Sequence, residues 1–314
     1  LSLIRHGNLI AVTGATGFIG SSLCLHLLQV GFRVRALVRN PDRAATLEQR
    51  GVQLVEGELG DPEALARLLA ISRGVIHAAG AVRGESQRAF DVVNVEGTAA
   101  VIDALHRLPS PPRLLLVSSL AAREPRLSWY ADSKRAAEAL LERESGMDWV
   151  ILRPPAVYGP GDREMMPLFR LMSRGIATVP GTLEARLSLI HVDDLVAAIT
   201  TCLCADDTRH RTLTLCDGKR GGYDWHEIAR IAGAVWGRRV HTLRVPAWLL
   251  DTVAAANLRL AAVTGRAPML TPAKLRELRH RDWVVDNADI TATTGWEPAI
   301  GLRRGLAGLG LTRA

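Results

Sequence analysis

A tyrosine and a lysine, Tyr130 and Lys134, stand four residues apart in the segment Tyr-Ala-Asp-Ser-Lys. In a helix, that spacing places both side chains on one face. An ammonium group beside a phenol favours the tyrosinate and lowers the pKa of the tyrosine from its ordinary value of about 10. The pair is therefore a candidate acid/base for proton transfer at a carbonyl or carbinol carbon.

Two serines, Ser118 and Ser119, follow the apolar run Arg-Leu-Leu-Leu-Val at 113–117. A continuous apolar run of this length is typical of a strand that is buried on both faces of a parallel sheet. Open α/β sheets bind ligands at the carboxyl ends of their strands. One of the two hydroxyls is therefore a candidate hydrogen-bond donor to a substrate oxygen near Tyr130.

The glycine-rich segment 12–20, Val-Thr-Gly-Ala-Thr-Gly-Phe-Ile-Gly, lies between a predicted strand at 8–13 and a predicted helix at 18–30. The first glycine permits a tight turn, the second lets the backbone approach a pyrophosphate, and the third allows close packing of helix and strand. The helix N-terminus adds free N–H groups for phosphates. We expect dinucleotide contacts from Gly14, Thr16, Gly17, Phe18, Ile19 and Gly20.

The choice between NADP and NAD depends on the end of the second strand, predicted at 33–38. An acidic residue there binds the ribose 2′-hydroxyl, whereas a basic residue accepts a 2′-phosphate. Arg39 occupies this place, and no Asp or Glu occurs between Gly31 and Pro41. The sequence therefore predicts NADP over NAD, with Arg43 as a second candidate phosphate ligand.

The first half of the chain alternates strand-like and helix-like segments, which predicts an α/β fold with a parallel sheet. After Arg153 the pattern changes to loops rich in proline and glycine. We predict a Rossmann-type doubly wound sheet with a smaller, mostly helical C-terminal lobe. The dinucleotide domain is expected at 1–153, with 187–217 returning to it, and the substrate lobe at 154–186 and 218–314. Further elements are predicted as helices 62–71, 90–107 and 192–203 and strands 74–77, 149–152, 187–190 and 212–216.

Composition limits the class of protein further. The formal net charge is +7, but the 39 basic residues are spread among 32 acidic ones, which does not favour a nucleic-acid partner. No transmembrane helix is expected, because polar residues interrupt the apolar stretch 245–263. A cytoplasmic location is the default expectation. Reduced core residues are expected at Cys24, Cys202, Cys204 and Cys216.

Taken together, the motifs resemble those of the extended short-chain dehydrogenase/reductase family. They occur in family order as Thr-Gly-Ala-Thr-Gly-Phe-Ile-Gly (13–20), His-Ala-Ala-Gly (77–80), Asn-Val-Glu-Gly-Thr (94–98), Val-Ser-Ser (117–119), Tyr-Ala-Asp-Ser-Lys (130–134), Arg-Pro-Pro-Ala-Val-Tyr-Gly-Pro-Gly (153–161) and His-Val-Asp-Asp (191–194).

The resemblance implies a role for individual residues. Tyr130 is implied as general acid/base, with Lys134 as its pKa partner and nicotinamide-ribose ligand. Ser119 is implied as the hydrogen-bond donor to the reacting oxygen, with Ser118 as the alternative, and Asn94 as a support for the site or its proton relay. Further cofactor contacts are implied at Ala78, Ala79, Gly80, Pro154 and Val157, and at Glu58 and Leu59, where family members often carry an aspartate beside the adenine.

The wording of the later motifs narrows the reaction. Ala156 stands where nucleotide-sugar enzymes of the family commonly have an asparagine, and the motif resembles the dihydroflavonol reductase and 3β-hydroxysteroid dehydrogenase-like branches. The leading expectation is an NADP-dependent oxidoreductase acting on a ketone or secondary alcohol. A nucleotide-sugar epimerase or dehydratase, and a non-catalytic NADP-binding sensor or assembly protein, are the alternatives.

Three further expectations concern partners and ligands. The family's usual dimer pairs helix 90–107 with the helix that begins near Tyr130, so we expect a homodimer. The substrate is expected to be a small, apolar molecule, with the apolar segment from Trp248 to Leu260 acting as a lid over it, as a membrane-contacting helix or as core. No metal site is expected, because His191 and the aspartates after it fit a helix cap.

Overall fold

The structure, a computed structural model, describes residues 8–264 and 270–311. Its strands are β1 (Leu9–Thr13), β2 (Arg33–Val38), β3 (Gln53–Glu56), β4 (Gly74–His77), β5 (Arg113–Val117), β6 (Trp149–Arg153), β7 (Ala156–Tyr158), β8 (Ile176–Val179), β9 (Arg186–Leu187), β10 (Leu189–His191), β11 (Arg211–Thr214), β12 (His241–Arg244) and β13 (Asp282–Trp283).

Helices cover both faces of the sheet and build most of the second half of the chain. They are α1 (Phe18–Gln29), α2 (Ala45–Gln49), α3 (Pro62–Leu69), α4 (Gln87–Asp91), α5 (Gly97–His106), α6 (Trp129–Leu141), α7 (Met166–Ser173), α8 (Val192–Cys204), α9 (Trp225–Trp236), α10 (Ala247–Thr264), α11 (Pro272–Leu278), α12 (Ala288–Thr294) and α13 (Leu302–Ala307).

A parallel seven-stranded sheet in the order β11-β6-β5-β4-β1-β2-β3 forms the centre of the molecule. The chain leaves β1 towards β2 and β3 on one side and then crosses to β4, β5 and β6 on the other. The resulting switch point between β1 and β4 is where doubly wound sheets open a ligand crevice at the carboxyl ends of their strands. The predicted fold class is confirmed.

Strand β5 shows why these sequences form a buried parallel sheet. Leu115 and Val117 pack on the face that carries α1 and α8, whereas Leu114 and Leu116 pack on the face that carries α3, α5 and α6. Because both faces are covered, every position in the strand is apolar apart from Arg113 at its start. A third cluster, centred on Phe169, belongs to the second half of the chain.

The boundaries of several predicted elements were wrong. The helix predicted at 90–107 is divided into α4, a π-helical turn at Val92–Glu96 and α5. The strand predicted at 187–190 is two short strands, β9 and β10, which pair outside the main sheet. The strand predicted at 212–216 runs from Arg211 to Thr214 and joins the main sheet beside β6.

Candidate active site

The turn between β1 and α1 is shaped by glycine. Gly14 adopts a φ of +76°, and a Cβ added to it would lie only 2.5 Å from the backbone nitrogen of Ala79. A Cβ on Gly20 would lie 2.1 Å from the carbonyl oxygen of Gly14. The turn therefore packs directly against the end of β4, and the exposed Gly17 stands at the N-cap of α1. This cradle of backbone groups fits a dinucleotide pyrophosphate.

Two arginines mark the far end of the cradle. Arg39 directly follows β2, and Arg43 lies in the 3-10 turn Pro41–Ala44. Both side chains are exposed. The backbone there is fixed locally, because the Asn40 side chain accepts a hydrogen bond of 2.9 Å from the Asp42 N–H. The arrangement leaves both guanidinium groups accessible to an anionic ligand.

The segment after β3 contains Glu58 and Leu59, which were predicted to contact the adenine of the cofactor. Glu58 is exposed, and Leu59 packs against Gly97 of α5. Asp61 caps α3 by accepting hydrogen bonds from the N–H groups of Glu63 and Ala64, at 2.9 and 3.0 Å. Asp61 is thus occupied as a helix cap.

Helix α6 presents Tyr130 at its first turn. The hydroxyl of Ser128 caps the helix by accepting a hydrogen bond of 3.0 Å from the Ala131 N–H. Tyr130 is partly buried and is hydrogen-bonded to Ser119, which itself accepts a bond of 3.2 Å from the Ala121 N–H. The structure thus brings together the phenol and the serine that the sequence selected, at the carboxyl edge of β5.

The pKa of Tyr130 lies above its ordinary value, opposite to the sequence-based expectation. Burial of the phenol is the main cause, and the charge of Glu277 raises the pKa further. The hydrogen bond from Ser119 acts in the other direction. As the structure stands, Tyr130 is held as the protonated acid, and Lys134 is not what sets its pKa.

Lys134 lies one turn deeper, where its ammonium donates a hydrogen bond of 3.1 Å to the carbonyl of Val117. It is almost fully buried beside Gly80, where an added Cβ would lie 2.9 Å from the lysine Nζ. Burial lowers the pKa of Lys134 to about 8, with Glu138 opposing the shift. The site therefore contains a lysine that changes charge near physiological pH.

Ser118 is occupied elsewhere. Its hydroxyl donates a 2.5 Å hydrogen bond to Glu138, a fully buried carboxylate on α6. Arg153 donates to both oxygens of the same carboxylate, at 2.9 and 2.6 Å. Because Ser118 is bound into this network, Ser119 is the hydroxyl that remains next to Tyr130.

Asn94 stands in the π-helical turn and is buried. Its side chain accepts a hydrogen bond of 2.8 Å from the Ala81 N–H and donates to the Ala81 carbonyl and to the hydroxyl of Ser133, at 3.2 and 2.8 Å. These bonds join the loop after β4 to α6. The geometry gives Asn94 a supporting position beneath the site rather than one that faces its opening.

His77 belongs to a buried network and not to the cleft. Its ring nitrogens lie 2.6 Å from the Thr13 hydroxyl and 3.1 Å from the Thr98 hydroxyl. Burial, aided by the nearby charge of Lys134, lowers the pKa of His77 to about 3. The histidine is therefore neutral and connects β1, β4 and α5.

Three of the remaining predicted cofactor residues follow strands of the main sheet, and the fourth lies in a separate two-stranded sheet. Ala78 and Ala79 are partly buried after β4 and lie against Gly14. The carbonyl of Pro154 accepts a hydrogen bond of 2.8 Å from the N–H of Leu120, the residue after Ser119. Val157 lies in β7, in register with Ile190 of β10.

Helix α11 supplies neighbours of Tyr130 that the sequence did not indicate. The ammonium of Lys274 lies 5.4 Å from the centre of the Tyr130 ring, and Lys274 forms an ion pair with Glu277. Glu277 accepts a hydrogen bond of 2.8 Å from Ser128. A depression beside the phenol is lined by Val82, Arg83, Gly84, Phe90, Ser128, Trp129, Tyr130, Thr271, Ala273 and Lys274.

Other sequence predictions can be placed around the site. His191 accepts a hydrogen bond of 3.3 Å from the Asp193 N–H at the start of α8, so the capping prediction is confirmed. No group of residues within the described ranges has the arrangement of a metal site. The cysteines are free, as predicted, although Cys204 is only partly buried. Across the described residues, no helix is both long and apolar enough to span a membrane.

The glycine cradle and the Ser119–Tyr130 pair at the edge of a doubly wound sheet define a class of NAD(P)-dependent Rossmann enzyme. A sequence model of the NAD dependent epimerase/dehydratase family matches residues 10–214. The chain belongs to this family, whose members include the extended short-chain dehydrogenases/reductases. It is an NAD(P)-dependent enzyme of the oxidoreductase/epimerase type.

Similar proteins include reductases. The chain is 38% identical over 279 residues to a ceramide reductase of Caulobacter vibrioides, covering 89% of this chain and 86% of that protein. It is 28% identical to a dihydroflavonol 4-reductase of Hordeum vulgare, over 61% of this chain and 66% of the other.

The fold has close counterparts among solved structures. A UDP-glucuronic acid 4-epimerase from Bacillus cereus, in complex with UDP-glucuronic acid and NAD, superposes with a TM-score of 0.74. The match covers 96% of this chain and 97% of the epimerase at 18% sequence identity. At that identity the likeness supports the fold alone.

Proposed function

We propose that this enzyme is an NADP-dependent reductase that converts a ketone on an apolar, ceramide-like lipid into a secondary alcohol. The observation that carries the proposal is the Ser119–Tyr130 pair, in which a protonated phenol meets a hydroxyl at the edge of the dinucleotide crevice. The 38% identity to a ceramide reductase over most of both chains supports this substrate class.

Ser119, Tyr130 and Lys134 have separate roles in the proposed reduction. NADPH, when bound, supplies the hydride that reduces the carbonyl carbon. Ser119 donates a hydrogen bond to the carbonyl oxygen, and Tyr130 donates its proton to the same oxygen as negative charge develops there. Lys134 would hold the nicotinamide ribose, and the hydrogen bond from Ser119 stabilises the tyrosinate that remains. The products are the alcohol and NADP⁺, and one proton from water restores Tyr130.

The cofactor preference is proposed to rest on Arg39, supported by Arg43. Both are exposed at the end of β2, where the ribose 2′-phosphate of NADPH is expected to lie. A charge-assisted hydrogen bond contributes about 1.5–3 kcal/mol. Replacing Arg39 by alanine should therefore weaken NADPH binding roughly 10- to 100-fold and leave NADH binding unchanged.

Arg33, which is exposed at the opposite end of β2, provides the matched control. The dissociation constants of NADPH and NADH are measured for the wild type, Arg39→Ala and Arg33→Ala. Equal affinity of the wild type for the two cofactors, or an equal effect of the two substitutions, would contradict the proposed preference.

The reaction itself is tested by following NADPH oxidation with a panel of ketones. The panel contains a keto-lipid with an amide-linked acyl chain, a short-chain ketone of the same head structure, and UDP-glucose. Turnover that favours the long-chain ketone supports the proposal. Conversion of the UDP-sugar without net oxidation of NADPH would instead favour an epimerase, and binding of NADPH with no turnover of any compound would contradict the proposed reductase.

A further inference from the structure

Large apolar side chains are exposed in one part of the second half of the chain far more than elsewhere. Ten such side chains are strongly exposed among the described residues, and six of them lie on β8, β12 or α10. Single exposed apolar residues are ordinary, whereas a cluster marks a contact surface. The six are Ile176, Leu243, Trp248, Leu249, Val253 and Leu260.

The strand part of this surface arises from simple alternation. Strands β8 and β12 form a two-stranded parallel ribbon, in which Ile176 is in register with His241. Ala177 and Val179 point into the buried cluster that contains Phe169, so Ile176 points outward. Leu243 is 57% exposed, two residues after His241, and thus on the outward face as well.

Helix α10 extends the surface beyond the ribbon. Ala254 is fully buried and Leu250 partly so, which fixes the inward side of the helix. Leu249 and Val253, four residues apart, form a stripe on the outward side. Trp248 beside them is 69% exposed, which is unusual for so large a ring. None of these side chains lines the depression beside Tyr130.

The charges along residues 238–260 are mostly positive. Arg239, Arg244 and Arg259 are exposed within the same stretch of chain. The one acidic residue between positions 238 and 260 is Asp251, and its carboxylate is bound by Arg279 at 2.9 Å. An apolar stripe with a basic border matches the headgroup and acyl boundary of an anionic bilayer.

We propose that the surface formed by Leu243, Trp248, Leu249, Val253 and Leu260, the α10 surface, docks the enzyme on a bilayer containing anionic lipids. The apolar side chains enter the interface, with Trp248 at headgroup depth, and the bordering arginines bind lipid phosphates. A second copy of the chain fits the same surface less well, because its own basic border would oppose another one.

The experiment is sedimentation of the purified protein with vesicles of phosphatidylcholine alone or mixed three to one with phosphatidylglycerol. The wild type should bind the anionic vesicles, with affinity that falls as salt increases. The double substitution Leu249→Ser and Val253→Ser should reduce binding at least about 10-fold, because both lose apolar contact with the bilayer. The double substitution Arg244→Gln and Arg259→Gln should remove most of the preference for anionic vesicles.

Ile71→Ser serves as the control, since Ile71 is 80% exposed but follows α3 in the first half of the chain and is not part of the α10 surface. Its binding should equal that of the wild type, and NADPH binding should show that every variant is folded. Failure of the wild type to bind anionic vesicles, or equal binding by the Leu249/Val253 variant, would overturn the proposal. The surface would instead be a contact between two copies of the chain if the wild type did not bind vesicles and light scattering showed that the Leu249/Val253 variant had lost self-association. None of these measurements depends on turnover, so they are independent of the proposed substrate.

Discussion

The first turn and the middle of α6 lie in different environments although they belong to one helix. Its first turn carries Tyr130, which is partly buried and faces α11 and the depression. Its middle carries Lys134 and Glu138, which are buried and bound to groups on the sheet. The same helix thus combines a rigid anchor with a phenol that an incoming ligand can reach.

The residues expected to act in catalysis are thus separate from those that anchor the helix to the sheet. Glu138 fixes the helix to β5 and β6 through Ser118 and Arg153. Tyr130 is held by its bond to Ser119 and by the proximity of Lys274 and Glu277. Substitutions in the first turn should therefore alter turnover with little effect on stability, whereas those in the middle should alter stability.

The largest effect is expected from Tyr130→Phe. Loss of the proton donor should lower kcat about 1,000-fold, within the range typical of general acid catalysis. Affinity for NADPH and the free energy of unfolding should stay close to the wild-type values. Steady-state kinetics, cofactor titration and urea unfolding check the three quantities. A variant that keeps most of its turnover would show that another group donates the proton.

The next effect concerns Glu138→Gln, which removes the charge that faces Arg153. Breaking a buried ion pair costs about 3–5 kcal/mol, and the retained hydrogen bonds of the amide should keep the loss near the lower limit. Glu142→Gln is the matched control, because Glu142 lies four residues further along and pairs with the half-exposed Arg135 at 2.8 Å. The control should lose less than about 1 kcal/mol. Equal losses in urea unfolding would contradict the anchoring role.

Lys134 predicts a pH dependence of stability. Its pKa in the folded protein, about 8, lies below the value of about 10.4 expected in the unfolded chain. Between these values the unfolded state binds more protons, so this lysine's contribution to stability rises as pH rises. Below pH 8 the folded state bears the full cost of burying the charge.

The free energy of unfolding of the wild type, relative to Lys134→Met, should therefore increase by about 1.5 kcal/mol from about pH 8 to about pH 9.5. The raised pKa of Tyr130 affects the free energy of unfolding only above about pH 10, where the tyrosine ionises in the unfolded chain but stays protonated in the folded protein. Urea unfolding at several pH values measures the difference. A difference that stays flat or falls across this range would show that Lys134 is not desolvated.

The smallest effect is expected from Glu277→Gln. The carboxylate raises the pKa of Tyr130, so its neutralisation should lower that pKa. Reduction needs the protonated phenol, and the alkaline loss of activity should consequently begin at a lower pH, by up to about one unit. Glu184→Gln, at an exposed position on another loop, should leave the pH profile unchanged. An unchanged profile for Glu277→Gln would mean that α11 does not influence the phenol.

The sequence predicted the parts of the site that depend on local spacing. The glycine turn, the position of Arg39 after β2, and the placement of Tyr130 and Lys134 on one helix follow from short-range rules. The networks were not predictable in this way, because Glu138 meets Ser118 and Arg153 only after β5, β6 and α6 have packed. Glu138 does lie four residues after Lys134, so its place on the inward face of α6 was open to inference.

The direction of the Tyr130 pKa was mispredicted for a related reason. The four-residue spacing indicates that Lys134 and Tyr130 share a face, but not that the lysine turns towards Val117. Nor does it reveal Glu277, which comes from a helix more than 140 residues later in the chain. The homodimer, the division into lobes and the cytoplasmic location stay predictions, since they concern other chains, domain limits or the cell.

Transfer of deuterium from labelled cofactor to the product shows whether the enzyme reduces the ketone by hydride transfer with Tyr130 as the proton donor. NADPH that carries deuterium at both hydrogen positions of nicotinamide C4 is incubated with the long-chain ketone, and the alcohol is analysed by mass spectrometry. We expect one deuterium on the carbinol carbon with the wild type, and a rate of labelling about 1,000-fold lower with Tyr130→Phe. An alcohol formed without deuterium, or labelling at an equal rate in the variant, would contradict this mechanism.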